Sequence, residues 1–340
     1  MKILRIFFLL FVVFSFNTTY SQPEQQFADL GDFVLQSGEV IEDCQIGYRT
    51  FGKLNGDSSN VILFSTWFGG KSEHLGSLIG PGKLIDSTHY FVIAVDALGN
   101  GVSSSPSNSP TQQDGKFPVF TISDMVTTQY SLVTQDLGFS RLFAVIGGSM
   151  GGMQTFQWIV QYPEFMEKAV PYVGSPQMTS SDLLLWNMEL KAIEAAHDGG
   201  CDTAAMMRLV GSIQNFAIRT PQYIAEHISR EDFPEYYRRV QSGVSDNHDS
   251  FNWAGQLRAM IAHDVAKPFQ GSLKAAARLV QAELLIIVGK QDHMVNPAPA
   301  IKFAGLTKAE KLILDSNCGH LAVNCEMDTV VKRIAGFLDS

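Results

Sequence analysis

The chain has 340 residues, of which 45% are apolar and 17% charged, a composition typical of a globular protein with a substantial core. Its 25 Lys and Arg are outnumbered by 34 Asp and Glu, so the formal charge is −9 at pH 7. This acidic balance gives no electrostatic reason to expect nucleic acid or an anionic membrane surface as a partner. The length fits one large domain that carries an insertion, or two modest domains.

The N-terminal segment has the three-part layout of a secretory signal peptide. Lys2 and Arg5 precede an apolar run at residues 6–16, and Ser21 supplies a small residue after which cleavage is expected. The run is too short to span a bilayer, which takes about 20 apolar residues. We therefore expect residues 1–21 to be removed and the protein to be exported to the periplasm or the medium, without stable membrane association. An uncleaved membrane anchor is the alternative.

Short β-rich runs alternate with helical patterns, which predicts an α/β fold with a mostly parallel eight-stranded sheet flanked by helices. The predicted strands are residues 33–36, 45–51, 61–65, 90–95, 142–146, 169–173, 284–288 and 311–314. The first two are expected to form an antiparallel start, and several later ones are continuous apolar runs typical of strands buried on both faces. Apolar spacing predicts helices at residues 124–136, 150–161 and 326–338.

The alternation stops near Gly174 and resumes near Ala282. Between them lie segments with helical spacing, at residues 183–197, 203–218 and 252–266. A helical block between two sheet strands is typical of a cap over an active site. We therefore predict a core of residues 22–174 and 276–340 and a helical cap insertion of residues 175–275. A separate helical domain with the same boundaries is the alternative.

The sharpest motif is Gly-Gly-Ser-Met-Gly at residues 147–151, which fits the nucleophile elbow G-x-S-x-G of the α/β-hydrolase fold. A predicted buried strand precedes it and a predicted helix follows, as the motif requires. Gly147 and Gly151 leave room for neighbouring chain at this strained turn. The turn also places Ser149 at a helix N-terminus, where free N–H groups favour negative charge. We expect Ser149 to be a nucleophile; a chance match is the alternative.

A serine hydroxyl is a poor nucleophile at neutral pH and needs an adjacent base. In this fold the acid and then the histidine follow the nucleophile along the chain. Asp292 follows the predicted strand 284–288, and His320 follows the predicted strand 311–314. The sequence therefore predicts a triad of Ser149, Asp292 and His320, in which His320 is the base and Asp292 orients its imidazole. Asp315, on the same loop as His320, is the alternative acid.

The oxyanion of the reaction needs two backbone donors. The N–H of Met150, directly after the nucleophile, is the first candidate. The predicted strand 61–65 leads into Trp67 and Phe68 and then two glycines, which indicates a glycine-rich oxyanion loop. The N–H of Phe68, or of Trp67 beside it, is the second candidate, and Trp67 is also expected to contact the substrate. An ordinary glycine turn is the alternative.

An exported chain can form disulfides, and the four cysteines are Cys44, Cys201, Cys318 and Cys325. The last two flank His320 closely and are a candidate pair, although the sequence does not decide the connectivity. No C-x-x-C pair is present, which argues against a zinc or redox motif. Residues 246–249 (Asp-Asn-His-Asp) offer metal ligands, but a solvated loop is the simpler interpretation. We expect no metal and no cofactor.

Several segments resemble the homoserine O-acetyltransferase family of α/β hydrolases, over nearly all of the chain after residue 21. They are residues 46–52 (IGYRTFG), 78–86 (LIGPGKLID), 89–93 (HYFVI), 98–101 (LGNG) and 145–154 (VIGGSMGGMQ). The resemblance implies the same triad of Ser149, Asp292 and His320. It also implies that Arg219, in Ile-Arg-Thr at residues 218–220, anchors an anionic or polar group of the substrate.

Three features depart from the homoserine enzymes. Leu321 follows the histidine where that family usually has an Asp that takes the substrate's amino group. Phe68 stands where it usually has Thr. The chain also carries an export signal, whereas acetyl-CoA is cytoplasmic. The resemblance extends to plain ester hydrolases with the same triad, and an exported member without the Asp fits that branch better.

We therefore expect a serine-dependent hydrolase of small carboxylic esters, acetyl esters among them. Trp186 and Met188, from the insertion, are candidates for the lining of an acyl pocket. The alternatives are an O-acetyltransferase that moves an acyl group from acyl-CoA, then a co-substrate, to homoserine or a similar alcohol, and a binding protein that has lost its chemistry. The sequence leaves the oligomeric state open, with a homodimer as one option.

Overall fold

The computed structural model describes residues 23–340, so the predicted signal peptide, residues 1–21, lies outside the described residues. The strands in this range are β1 (Gln26–Asp29), β2 (Phe33–Val34), β3 (Val40–Ile41), β4 (Gln45–Phe51), β5 (Val61–Ser65), β6 (Phe91–Val95), β7 (Leu142–Gly148), β8 (Met166–Tyr172), β9 (Glu283–Gly289) and β10 (Glu310–Leu314).

Eight of these strands form one sheet, in the order β1-β4-β6-β5-β7-β8-β9-β10. The pairs β1–β4 and β4–β6 are antiparallel, and every later pair is parallel. The prediction of a mostly parallel eight-stranded sheet is therefore confirmed. The carboxyl ends of the parallel strands meet at one edge, where ligands bind in open α/β folds.

The α-helices are α1 (Ser72–Leu75), α2 (Ile122–Ser131), α3 (Met150–Gln161), α4 (Ser180–Gly199), α5 (Thr203–Ile218), α6 (Pro221–His227), α7 (Phe233–Ser245), α8 (Ser250–Ile261), α9 (Leu273–Ala277), α10 (Ala298–Thr307), α11 (Ala322–Cys325) and α12 (Met327–Leu338). Helices α4 to α8 follow one another between β8 and β9, within the predicted insertion. Among residues 23–340, no helix combines the length and the apolar character needed to cross a bilayer.

The central strands are apolar on both faces because helices cover both sides of the sheet. In β5, the fully buried Val61 and Leu63 belong to one hydrophobic cluster, and the fully buried Ile62 and Phe64 belong to another. Successive side chains of a strand point to opposite faces, so the two clusters lie on opposite sides of the sheet. This two-sided burial fixes where each strand ends, and hence where the loops that follow the strands are held.

The edge of the sheet differs from the prediction. The predicted strand 33–36 is only two residues long and pairs with β3 in a separate hairpin. The eighth strand of the main sheet is β1, in which only Ala28 is buried. Its Gln-Phe-Ala-Asp sequence lacks the alternation of a half-buried strand, which is why pattern analysis did not find it.

Candidate active site

The bend between β7 and α3 consists of Ser149 alone. Its φ of 56° and ψ of −121° lie outside the regions that L-residues favour. A Cβ at Gly147 would lie 2.1 Å from the carbonyl oxygen of Gly151, and one at Gly151 would lie 2.5 Å from the carbonyl oxygen of Ser65. Both positions therefore require glycine, and the strained bend holds the serine side chain at the carboxyl edge of the sheet.

The structure brings Ser149, His320 and Asp292 into one chain of hydrogen bonds. Nε2 of His320 lies 2.8 Å from Oγ of Ser149, and Nδ1 of His320 lies 2.7 Å from Oδ2 of Asp292. Asp292 and His320 are each 6% exposed. With Nδ1–H donating to the carboxylate, Nε2 is left as the acceptor for the serine proton, which is the arrangement that general-base activation needs.

The backbone after β9 fixes the carboxylate of Asp292. The N–H groups of Met294 and Val295 both donate to Oδ1, each at 2.9 Å, which leaves Oδ2 for the histidine. The same loop is tied to the first helix of the insertion, because Asn296 N–H donates to Oδ1 of the fully buried Asp182 at 2.9 Å. The carboxylate of Asp292 is thus held by its own loop, and that loop is in turn bonded to α4.

The alternative acid, Asp315, lies elsewhere. Its side chain is 60% exposed and pairs with Lys290 at 2.7 Å. The hydrogen bond from Lys290 lowers the pKa of the Asp315 carboxyl. Because its carboxylate is engaged at the surface, Asp315 is not placed to orient His320.

Residues 67–70 form a tight turn at the candidate oxyanion loop. Gly70 N–H donates to Trp67 C=O at 2.9 Å, and Gly69, in the third position, has a φ of +67° that favours glycine. Among the described residues, no backbone carbonyl accepts a hydrogen bond from the N–H of Trp67 or Phe68. The N–H of Met150, the first residue of α3, has no acceptor within the helix. These donors are therefore available to a negatively charged oxygen.

A cavity of about 660 Å³ opens in front of Ser149 and His320. Apolar side chains dominate its wall, and they come from both hydrophobic clusters: Trp67, Leu78, Leu84, Tyr172, Val323 and Met327 from one, and Phe68, Trp186, Ile218, Met260 and Met294 from the other. Its volume lies within the range of about 300–1,000 Å³ typical of small-molecule sites. Leu321 also lines this cavity, directly after the histidine.

Two of the predicted substrate contacts lie outside the cavity wall. The Arg219 guanidinium packs over the ring of Tyr223 at 4.1 Å and does not belong to the lining. The prediction for Met188 is wrong, because its side chain is 48% exposed on the outer face of α4. Trp186, two residues earlier on the same helix, faces inward and lines the cavity as expected.

The loop that carries His320 is closed by a disulfide between Cys318 and Cys325, the candidate pair of the sequence analysis. Cys44 and Cys201 are free thiols, and burial raises the pKa of Cys44 to about 12. The bridge encloses His320, Leu321 and Val323, so one covalent link ties the candidate base to part of the cavity wall.

Across residues 23–340, no group of three or more His, Cys, Asp and Glu side chains is placed to hold a metal ion, and residues 246–249 are no exception.

The polar side chains that support this site were not predicted from the sequence. Asp182 was identifiable as part of a Thr-x-x-Asp capping box at residues 179–182, which marks the start of a helix. Its bond to Asn296 spans 114 residues and has no local signature. Gln154 and Gln256 are also buried and bonded to loops near the site, and they were not predicted because buried amides follow no periodic pattern.

Comparison with known proteins agrees with this geometry. The family model described as alpha/beta hydrolase fold matches residues 59–323. A probable esterase of Corynebacterium glutamicum is 39% identical, over 94% of this chain and 96% of its own. A homoserine O-acetyltransferase of Caulobacter vibrioides is 31% identical, over 90% of this chain and 92% of its own. The crystal structure of an acetylester hydrolase from Corynebacterium glutamicum superposes with a TM-score of 0.87 at 26% identity, covering 93% of this chain and 96% of that one.

Proposed function

Since the chain belongs to the α/β-hydrolase family, we propose that it hydrolyses carboxylic esters through an acyl-enzyme on Ser149. The observation that carries this proposal is the pair of short contacts from Ser149 to His320 and from His320 to Asp292, at 2.8 and 2.7 Å. The relative at 39% identity is named a probable esterase, and the solved structure that superposes with a TM-score of 0.87 is that of an acetylester hydrolase.

The reaction proceeds in two halves. Oγ of Ser149 attacks the ester carbonyl carbon while Nε2 of His320 takes its proton, and the tetrahedral oxyanion receives hydrogen bonds from the N–H groups of Met150 and Phe68. The intermediate collapses, and the alcohol leaves with the proton from His320. Water then attacks the acyl-enzyme with His320 again as the base, and the acid is released from Ser149.

The cavity favours hydrolysis of an uncharged ester over transfer from acyl-CoA to homoserine. Leu321 lines the cavity at the position where the homoserine enzymes usually have Asp, so the residue after the histidine offers no carboxylate to an ammonium group. Among the described residues of the wall there is no Lys or Arg to receive phosphate groups. Apolar side chains on both sides of Ser149 suit a substrate whose acyl and alcohol parts are both small and apolar.

The test is a panel of p-nitrophenyl and alkyl esters of increasing acyl length, assayed with wild type and Ser149→Ala. We expect the short-chain esters to be hydrolysed by wild type only. Equal rates for both proteins would end the serine mechanism. A parallel assay supplies acetyl-CoA with and without homoserine, and homoserine-dependent release of CoA would show that transfer is the reaction.

We also propose that the protein is exported. The support is the basic and apolar layout of residues 1–21 together with the Cys318–Cys325 bridge, since disulfides persist in oxidising compartments. N-terminal sequencing of the protein from periplasmic and medium fractions tests this proposal. A chain that keeps Met1 and remains with the cytoplasm would contradict it.

A further inference from the structure

One side chain of the insertion is bonded to the candidate oxyanion loop. Oε1 of Gln256, on α8, accepts the backbone N–H of Gly69 at 2.8 Å, across 187 positions of sequence. Its Nε2 donates to the carbonyl oxygen of Leu98, in the loop after β6, at 3.0 Å. Gln256 is 1% exposed, so both ends of its amide are used in contacts with the core and neither reaches solvent.

The same helix packs against the other face of the loop. Trp253, three residues before Gln256, meets the ring of Phe68 edge-on with 4.2 Å between ring centroids. A Cβ at Gly69 would lie 2.8 Å from the ring of His248, just before α8. The tip of the loop therefore lies against the cap, and the positive φ of Gly69 together with this close contact favours glycine there.

The core holds the other end of the loop. Nε2 of Gln154, on α3, donates to the carbonyl oxygens of Thr66 and Met150, at 3.0 and 3.1 Å. This buried amide links the strand that leads into the oxyanion loop to the helix that carries the nucleophile. Beyond Thr66, two buried side chains hold the turn: Nδ2 of Asn100, from the core, donates to the carbonyl oxygen of Gly70 at 3.0 Å, and Gln256, from the cap, accepts the N–H of Gly69.

On the basis of the proposed function, we propose that Gln256 is a positioning residue for the oxyanion hole. The N–H of Phe68 is useful only if the peptide planes of residues 67–70 keep one orientation, because an oxyanion donor must lie within about 0.5 Å of its productive place. Two adjacent glycines rotate easily when nothing binds them. Gln256 removes that freedom at Gly69, so a helix of the cap takes part in building the catalytic geometry.

Gln256→Met tests this role, because it keeps the length and volume of the side chain and removes both hydrogen bonds. We expect kcat on p-nitrophenyl acetate to fall about 10- to 100-fold, with KM changed less than about threefold, since a misplaced donor weakens the transition state and not the bound ester. Trifluoroacetone, which adds to the serine as a tetrahedral oxyanion, should lose affinity by the same factor as kcat/KM.

Asn252→Leu is the matched control. Asn252 lies one turn earlier on α8, is 9% exposed, and is bonded through both ends of its amide to Ser107 instead of the oxyanion loop. Its removal should cost comparable stability and leave kcat within about twofold of wild type. Where Gln256→Met fails to fold, Gln256→Asn shortens the reach by one methylene, and the same loss is expected.

The proposal is wrong if Gln256→Met keeps its kcat, if trifluoroacetone binds it as tightly as wild type, or if Asn252→Leu loses as much activity. If Ser149→Ala, measured alongside, is inactive, such a result overturns the role of Gln256 and leaves the serine mechanism standing. An active Ser149→Ala would instead overturn the acyl-enzyme and this proposal together.

Discussion

Glu189 is a carboxyl group buried without a cation, and it makes the stability of the protein depend on pH. It is fully buried on α4, and Oε2 accepts a hydrogen bond from Nε1 of Trp253 at 3.1 Å. Oε1 has no hydrogen-bond partner among the described residues. Burial raises the pKa of Glu189 from 4.5 to about 8, so the side chain is protonated in the folded protein at neutral pH.

The sign of the effect follows from proton linkage. Between pH 4.5 and about 8, the unfolded chain has released the proton of Glu189 while the folded protein keeps it. The free energy of unfolding therefore falls as pH rises, by about 1.4 kcal/mol per pH unit. The loss from this one group reaches about 3 kcal/mol at pH 7 and at most about 5 kcal/mol above pH 8.

Glu189→Gln keeps an acceptor for Trp253 and has no proton to release. We expect urea unfolding at pH 5, 6, 7 and 8, without reductant, to show the variant gaining on wild type by about 1.4 kcal/mol per pH unit between pH 6 and 7, and by less near pH 5 and pH 8. Glu194→Gln, on the same helix, is the control, because hydrogen bonds from Lys191 and Arg258 lower the pKa of Glu194, so folding does not make this group retain a proton as it does at Glu189. A stability difference for Glu189→Gln that stays constant from pH 5 to 8 would refute the reasoning.

Three further predictions concern the active site. Asp292→Asn leaves the geometry intact but removes the charge that stabilises protonated His320, so kcat on p-nitrophenyl acetate should fall by about 10³- to 10⁴-fold, and a loss below tenfold would contradict its role. Replacing both Cys318 and Cys325 with Ser opens a short loop, which should lower the free energy of unfolding by about 2 kcal/mol in urea titrations. Reductant should lower the stability of wild type but not that of the variant. Equal stability of the two proteins without reductant would contradict this prediction. Gly151→Ala places a Cβ 2.5 Å from a backbone carbonyl of β5. Thermal unfolding should therefore show a free energy of unfolding lower by about 1–3 kcal/mol, and kcat should also fall. Unchanged stability and kcat would mean that α3 shifts to accommodate the methyl group without an energetic cost.

The parts of the fold that sequence predicted are those set by burial on two faces. The strand prediction 61–65 coincides with β5, and the prediction 45–51 coincides with β4. The helix prediction 150–161 coincides with α3, because the elbow fixes its start. Prediction failed where burial is slight, as in β1, and helices α6 and α7 of the insertion were not predicted individually.

The triad was predictable because its members lie at the ends of parallel strands, and chain order then decides which loops meet. Ser149 is 171 positions from His320, yet both follow strands that end at the same edge of the sheet. The supporting contacts obey no such rule. For Arg219, the resemblance of residues 218–220 to a family segment identified the residue but not the orientation of its side chain, since the guanidinium stacks on Tyr223 and does not line the cavity.

The contacts that sequence could not supply are those that join the insertion to the core. Asp182 binds the loop of the acid, Gln256 binds the oxyanion loop, and Trp253 packs on Phe68 while bonded to Glu189. A cap that only covered the site could be displaced without changing the groups beneath it. Here the first turn of α4 is bonded to the loop that carries Asp292, and the middle of α8 is bonded to the candidate oxyanion loop, so movement of these helices away from the core would break both contacts at the same time.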